Sequence, residues 1–259
     1  MFPLRDDNPQ FLTPYVTYGL IAVNVCVWLV IQGLGFDPAL SRSVCTLGLI
    51  PAELSGAVPA GTALPLSDTT VCMLTPDWAW LSLASYMFLH GSWLHIIFNM
   101  WFLWIFGNNV EDSMGHLRFF FFYLLCGLIA AGLQVVSDAQ TTAPIVGASG
   151  AVGGVMGAYI LLYPRVNVHF LIFLGFFVTT IAVPAFWMLA YWFILQVLGA
   201  VTSTSGESGV AFWAHVGGFV AGAALVTLFR KPELVARHPY HGWKPQTSAP
   251  PSWRKVPRD

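Results

Sequence analysis

Long apolar runs separated by isolated charges dominate the chain. Residues 8–36, 78–110, 119–137, 139–164, 166–206 and 208–229 contain no Asp, Glu, Lys or Arg. A helix that crosses a bilayer needs about 20 apolar residues, so the pattern predicts spans near 14–35, 94–110, 118–137, 147–163, 185–201 and 210–229. The run 166–206 has room for two helices. Its first part, Val166–Val183, is rich in β-branched and aromatic residues and closes with Pro184. It reads as an irregular hairpin in the inner interface, within an inner segment 164–184. Residues 36–93 form a large outer loop between the first two spans, with Gly, Pro and Ser clusters and an amphipathic stretch, Trp78–Leu89. The expected fold is an all-α integral membrane bundle of six transmembrane helices. It divides into a cytoplasmic N-terminal segment (1–13), a membrane domain (14–229) and a disordered, basic, Pro-rich cytoplasmic tail (230–259).

Composition turns this pattern into a solvent argument. Hydrophobic residues make up 56% of the 259 and charged residues 9%, against roughly 25% charged in a soluble domain. So few charges cannot cover so much apolar surface in water. Eleven basic and twelve acidic residues nearly cancel, which gives no footprint for nucleic acid. With the N-terminus inside and six spans, Arg5, Arg118, Arg165 and the seven basic residues from Arg230 to Arg258 fall on the inner side, and only Arg42 lies outside. That asymmetry orients the bundle with both termini cytoplasmic. The first apolar run is too long for a signal-peptide core and is expected to be retained as a span.

Polar residues inside spans are costly and therefore suspect. Spans two, four and six all run from outside to inside. The first two turns of these spans carry His95 and Asn99, Ser149, and His215 respectively. A lone Ser in Gly-Ala-Ser-Gly ordinarily caps a helix, and a lone His ordinarily links two. Their shared depth on three co-directional helices is what points to chemistry. Gly153 and Gly157 follow Ser149 on one face, as Gly218 and Gly222 follow His215; such spacings let membrane helices approach closely. Packing along these stripes would bring Ser149 against His215, the arrangement of a base-activated nucleophile. His95, Asn99 and the Ser149 amide would then form an oxyanion hole. Glu111 and Asp112 are expected to pair structurally, with Arg118 as the nearest basic partner. Cys26 and Cys126 read as packing residues. Cys45 and Cys72 share the outer loop, where a disulfide and two free thiols are equally open readings.

The stretch Phe88-Leu89-His90-Gly91-Ser92-Trp93-Leu94-His95-Ile96-Ile97-Phe98-Asn99, with Gly107, Glu111, Gly115 and Arg118, resembles the rhomboid family of intramembrane serine proteases. So do Gly147-Ala148-Ser149-Gly150 and Ala214-His215-Val216-Gly217-Gly218 with Gly222. The resemblance covers about residues 82–229. It implies a rhomboid-like six-helix fold and a Ser–His dyad, with Ser149 as nucleophile, His215 as general base, and His95 and Asn99 stabilising the oxyanion. It also implies cleavage of other membrane proteins within or beside their transmembrane segments, in the lipid bilayer, without metal or cofactor.

Two features depart from the family pattern. The aromatic residue that commonly stacks on the dyad histidine, four positions after the serine, is Gly153 here, so the orientation of His215 must come from other aromatics or be looser. The Trp-Arg pair frequent in the family's first outer loop is missing. No H-E-x-x-H zinc signature occurs, and no span has a central Asp, which disfavours metallo- and aspartyl mechanisms. A non-catalytic rhomboid-like protein that binds membrane clients is the alternative; a transporter fits less well. The expected location is the bacterial inner (plasma) membrane, and the fifth span or the loop after it is the expected substrate gate.

Overall fold

The computed structural model describes residues 2–66, 70–74, 76–174, 177–203 and 209–242. A strand β1 (Phe2–Asp6) precedes α1 (Tyr15–Cys26), which runs on through a π-helical turn, Val27–Ile31. The segment that follows holds α2 (Ala39–Leu47), α3 (Pro51–Leu54) and the short hairpin β2 (Ala63–Pro65) and β3 (Val71–Met73). Helical turns over Pro76–Leu81 and Tyr86–Phe88 flank α4 (Ser82–Ser85). Then come α5 (Trp93–Met114), α6 (His116–Ser137), α7 (Ser149–Leu162), strands β4 (Asn167–Leu174) and β5 (Phe177–Pro184), α8 (Ala185–Thr202), α9 (Phe212–Phe229) and α10 (Pro232–Val235).

Among the described residues, α6, α8 and α9 are each long and apolar enough to cross a membrane, and a fourth candidate joins Ala79–Phe88 to α5 through a 76° bend. Exposed Trp101, Trp104, Phe121, Trp187, Tyr191 and Leu228 give the bundle a continuous apolar exterior, which is incompatible with water and natural in lipid. The protein is thus a multi-pass, mostly helical membrane bundle. With only 14 residues, α7 extends about 21 Å; eleven of those residues are buried, because the helix stands at the centre of the bundle and meets protein on every side.

Small residues permit that central position. A Cβ on Gly218 would overlap the carbonyl of Gly150, one on Gly222 the carbonyl of Gly154, and one on Gly157 the carbonyl of Phe219. A Cβ on Gly153 would lie 3.2 Å from the His215 carbonyl oxygen. The glycines of α7 and α9 therefore interlock, and Gly150 and Gly154 join the four that spacing singled out. Gly222→Ala is expected to cost about 3 kcal/mol, the upper range of overpacking, since backbone rather than a flexible side chain must move. Gly132→Ala, where nothing lies within 4 Å, is the neutral control; thermal unfolding in detergent compares them.

Three expectations need correction. The fold is not all-α: β1, β4 and β5 form a three-stranded antiparallel sheet. The segment expected as an irregular hairpin is a regular one, paired from Asn167↔Pro184 to Leu174↔Phe177, because its β-branched and aromatic residues suit a pleated ladder. The N-terminal segment supplies the third strand, with Phe2 opposite Leu171 and Asp6 opposite Val168. The tail is not disordered over its described part. The Lys231 amide bonds the Ser113 carbonyl (2.8 Å), Gly242 bonds Leu162 (2.6 Å), and His238 and Tyr240 are buried. His238 packs between Phe11 and Tyr163, at 5.0 and 4.9 Å between ring centroids, so apolar contact holds what charge content alone would leave solvated. Residues 243–259 lie outside the described residues.

Arg118 is likewise not the partner of Glu111 or Asp112; it donates to the Phe229 carbonyl. Helix α1 begins at Pro14 without a side-chain cap. Glu111 supplies the acceptor instead, taking the amides of Val16 (3.0 Å) and Thr17 (2.8 Å) and the Thr17 hydroxyl (2.7 Å). Asp112 accepts from the amides of Phe11 and Leu12, both at 2.6 Å. Unpaired amides at a helix start attract carboxylates through both hydrogen bonding and the helix dipole.

Two groups at this end of the bundle make its stability depend on pH with opposite signs. Burial holds His238 down at about 4, so on acidification below 6.5 the unfolded chain takes up a proton that the folded one refuses, and stability falls. Burial pushes Asp6 up to about 7 despite the opposing hydrogen bond from Tyr159, so the folded chain keeps a proton that the unfolded one loses above 3.8, and stability falls as pH rises toward 7. Between pH 4.5 and 6.5, Asp6→Asn is therefore expected to make the melting temperature drop more steeply on acidification, and His238→Gln to make it drop less steeply. Identical slopes in the two variants would contradict this assignment.

Candidate active site

Helix α7 opens with Ser149, two residues after Gly147, whose φ of +130° suits glycine. A Cβ there would stand 2.6 Å from Nε2 of His95 and 3.5 Å from Oγ of Ser149. Glycine at 147 is thus what allows the imidazole to approach the serine. The amide of Gly147 is tied to the Tyr86 carbonyl at 2.9 Å, and Tyr86 donates its hydroxyl to the Gly127 carbonyl at 2.8 Å. The loop before Ser149 is therefore anchored to α6.

His215 lies in the first turn of α9. Its Nε2 is 2.8 Å from Ser149 Oγ, and its Nδ1 is 2.7 Å from Oε1 of Gln196 on α8. Gln134 of α6 accepts from the Ala214 amide at 3.1 Å, which satisfies an otherwise unpaired amide at the start of α9. The ring of Trp192, one turn before Gln196, stands 5.9 Å from the His215 ring, tilted by 37°.

At the start of α5, Ser92 caps the helix by accepting from the His95 amide at 3.2 Å. Nδ1 of His95 accepts from the Gly91 amide at 3.3 Å, which leaves the Nε2 proton on the side facing Gly147 and Ser149. Asn99 is buried and gives one amide hydrogen to the His95 carbonyl at 3.0 Å; its second hydrogen remains available. The preceding loop is clamped by Gln32, which accepts from the His90 amide and donates to the His90 carbonyl, both at 2.8 Å. His90 itself is fully buried, 5.1 Å edge-on to His95. Burial, with a smaller contribution from His95, lowers its pKa to about 3, so it stays neutral.

Ser149, His215, His95 and Asn99 all line one cavity of about 520 Å³, together with Trp192 and Met156. The arrangement unites a hydroxyl, an imidazole within hydrogen-bond reach of it, and nearby N–H donors. These are the parts from which addition to a carbonyl is built. Among the described residues no cluster of three or more His, Cys, Asp or Glu is placed to hold a metal. Cys45 and Cys72 are joined as a disulfide that ties α2 to β3; Cys126 is buried under α7, whereas Cys26 is exposed on α1. Sequence reasoning overlooked three glutamines, Gln32, Gln134 and Gln196. Each stands within an uncharged run, and that cost in an apolar setting was the available signal.

The model of the Rhomboid domain matches residues 77–232, more than half of the chain. The chain is 29% identical over 166 residues to the Rhomboid-like protein 11, chloroplastic, of Arabidopsis thaliana, covering 59% of this chain and 54% of that one. It is 33% identical over 146 residues to the Rhomboid protease GluP of Bacillus subtilis (strain 168), covering 56% and 26%. With the Rhomboid-like protease 5 of Toxoplasma gondii it shares 31% over 140 residues, covering 52% and 14%. The chain thus spans from about one seventh to about half of the length of these relatives.

Proposed function

The chain belongs to the rhomboid family, and on that premise we propose that it is an intramembrane serine endopeptidase with Ser149 as nucleophile and His215 as general base. The observation that carries this reading is the 2.8 Å contact between Ser149 Oγ and His215 Nε2 inside the cavity that His95 and Asn99 also line.

The reading extends to the whole membrane domain, residues 14–229. Six helices cross the membrane: α1 with its π turn, α5, α6, α7, α8 and α9. The disulfide-tied segment 36–93 lies outside and the sheet-forming segment 164–184 at the inner surface. Both termini face the cytoplasm, as the placement of basic residues favours, in a bacterial inner membrane. At about 21 Å, α7 is shorter than the roughly 30 Å hydrocarbon core. Its start therefore sits below the outer surface, where water enters through the cavity.

Catalysis begins as the Ser149 hydroxyl attacks a substrate carbonyl and its proton passes to His215 Nε2. The oxyanion that develops takes hydrogen bonds from His95 Nε2, Asn99 and the Ser149 amide. As the intermediate collapses, the protonated imidazole gives its proton to the leaving amine. The resulting acyl-enzyme is released by water, which His215 activates in turn. A peptide bond in a transmembrane helix is shielded by its own backbone hydrogen bonds. Substrates are therefore membrane proteins whose helices carry small or helix-weakening residues near the outer boundary, where local unwinding is easiest.

The test uses the purified chain in liposomes with a single-span reporter. Cleavage at one bond, together with a fluorophosphonate adduct mapped to Ser149, is the expected result. An intact reporter with no adduct would overturn the reading, and reporter binding without cleavage would favour a non-catalytic client-binding role.

A further inference from the structure

Gly153 removes the aromatic residue that the family resemblance would place against the dyad histidine, and the structure fills the gap from a different helix. Trp192 and Gln196 are four residues apart on α8 and so share a face. Trp192 sets its ring beside His215, with its outer edge 3.8 Å from where a Cβ on Gly153 would stand. Gln196 makes the polar contact. Its Nε2 donates to the Trp192 carbonyl at 3.3 Å, which turns its Oε1 toward His215 Nδ1 at 2.7 Å.

An amide oxygen only accepts hydrogen bonds, so Nδ1 of His215 must carry the proton. A neutral imidazole protonated on Nδ1 presents a bare lone pair at Nε2, the atom that faces the Ser149 hydroxyl. The opposite tautomer would aim an N–H at the nucleophile and a lone pair at the Gln196 oxygen, losing the bond to Gln196 and the capacity to act as base. We propose that Gln196 is a positioning residue that fixes the Nδ1–H tautomer and orientation of His215, in the place where a carboxylate serves a Ser-His-Asp triad. The proposal rests on the protease reading above for its kinetic consequence, but the tautomer it assigns does not depend on that reading.

Helix α8 is the least embedded of the long helices, with only Ala185, Leu189 and Ala200 buried. The contacts of Trp192 and Gln196 with α9 are therefore principal ties between α8 and the site. Orientation of the base depends on α8 staying closed against α9.

Two variants separate positioning from folding. Gln196→Met keeps side-chain length and removes the oxygen; Gln196→Glu keeps the acceptor. In the full chain in liposomes, Gln196→Met is expected to lower kcat for the reporter roughly 10- to 100-fold, part of what a positioned base supplies, with KM changed less than about twofold. Gln196→Glu is expected to restore kcat to within a few-fold of wild type. Solid-state 15N spectra of histidine-labelled protein, with His215 assigned against His215→Asn, are expected to show a single Nδ1–H tautomer in wild type and a mixture in Gln196→Met. An unchanged tautomer and kcat in Gln196→Met would overturn the proposal, as would equal losses in both variants accompanied by lowered melting temperatures. A wild-type chain that shows the single tautomer yet neither cleaves nor takes up fluorophosphonate would sink the protease reading and leave the assignment of Gln196 standing.

Discussion

Ser149→Ala is expected to lower reporter cleavage by at least ~10⁴-fold, about 5.5 kcal/mol of transition-state stabilisation. His215→Ala should lose nearly as much, and the double variant should be no worse than either single one. In the proposed mechanism the two groups act as one device: without the imidazole the hydroxyl is a poor nucleophile, and without the hydroxyl the imidazole has no proton to take. Their 2.8 Å contact is the physical basis for that non-additivity. Reporter binding should survive in all three variants, since neither side chain holds the substrate. Rates per acyl-forming turnover and affinity for uncleaved reporter, measured in parallel in liposomes, check both parts. Losses that multiplied in the double variant would mean that the two residues serve separate steps.

His95→Ala carries the second-largest expected effect, a fall in kcat of ~10²–10³-fold, or about 3–4 kcal/mol. A donor aimed at a developing oxyanion stabilises the transition state and not the bound substrate, so KM should move little. His95 offers Nε2–H beside Ser149 because its Nδ1 is engaged by the Gly91 amide. Asn99 has one amide hydrogen engaged by the His95 carbonyl, so Asn99→Ala should fall less than His95→Ala, through the single hydrogen that remains. Separate kcat and KM values for the two variants decide this. A rise in KM at constant kcat would place His95 in substrate binding instead.

The packing of α7 against α9 explains why so much of the candidate site is legible in the sequence. Spans exclude charge, and helical periodicity puts residues three and four apart on one face. From these two rules, His95, Asn99, Ser149 and His215 acquired a common depth, and Gly153, Gly157, Gly218 and Gly222 acquired a shared purpose. Reading failed where both rules are silent. Basic and proline content makes the tail read as solvated, yet Val235, His238 and Tyr240 are buried, His238 packs on Phe11 and Tyr163, and the backbone bonds to the ends of α5 and α7. Val166–Val183 has the composition of strands, but no local rule announces that Phe2–Asp6 pairs with it as a third strand from more than 160 residues away. For Glu111 and Asp112 the sequence offers Arg118 as a basic partner, whereas the unpaired amides of α1 and of the chain before it are the partners they take.

The sequence by itself determined which segments are apolar enough for lipid and which polar side chains share a level, because each follows from composition and local periodicity. Only the tertiary structure decided what those side chains touch. Helix α8 is apolar around its whole circumference, so no amphipathic stripe reports its rotation. Whether Gln196 faces lipid or His215 depends on how α8 settles against α9, an angle set by the fit of Trp192 and Phe193 against Phe219. Hydrogen bonds between neighbouring helices record that fit, and no local rule of spacing contains it.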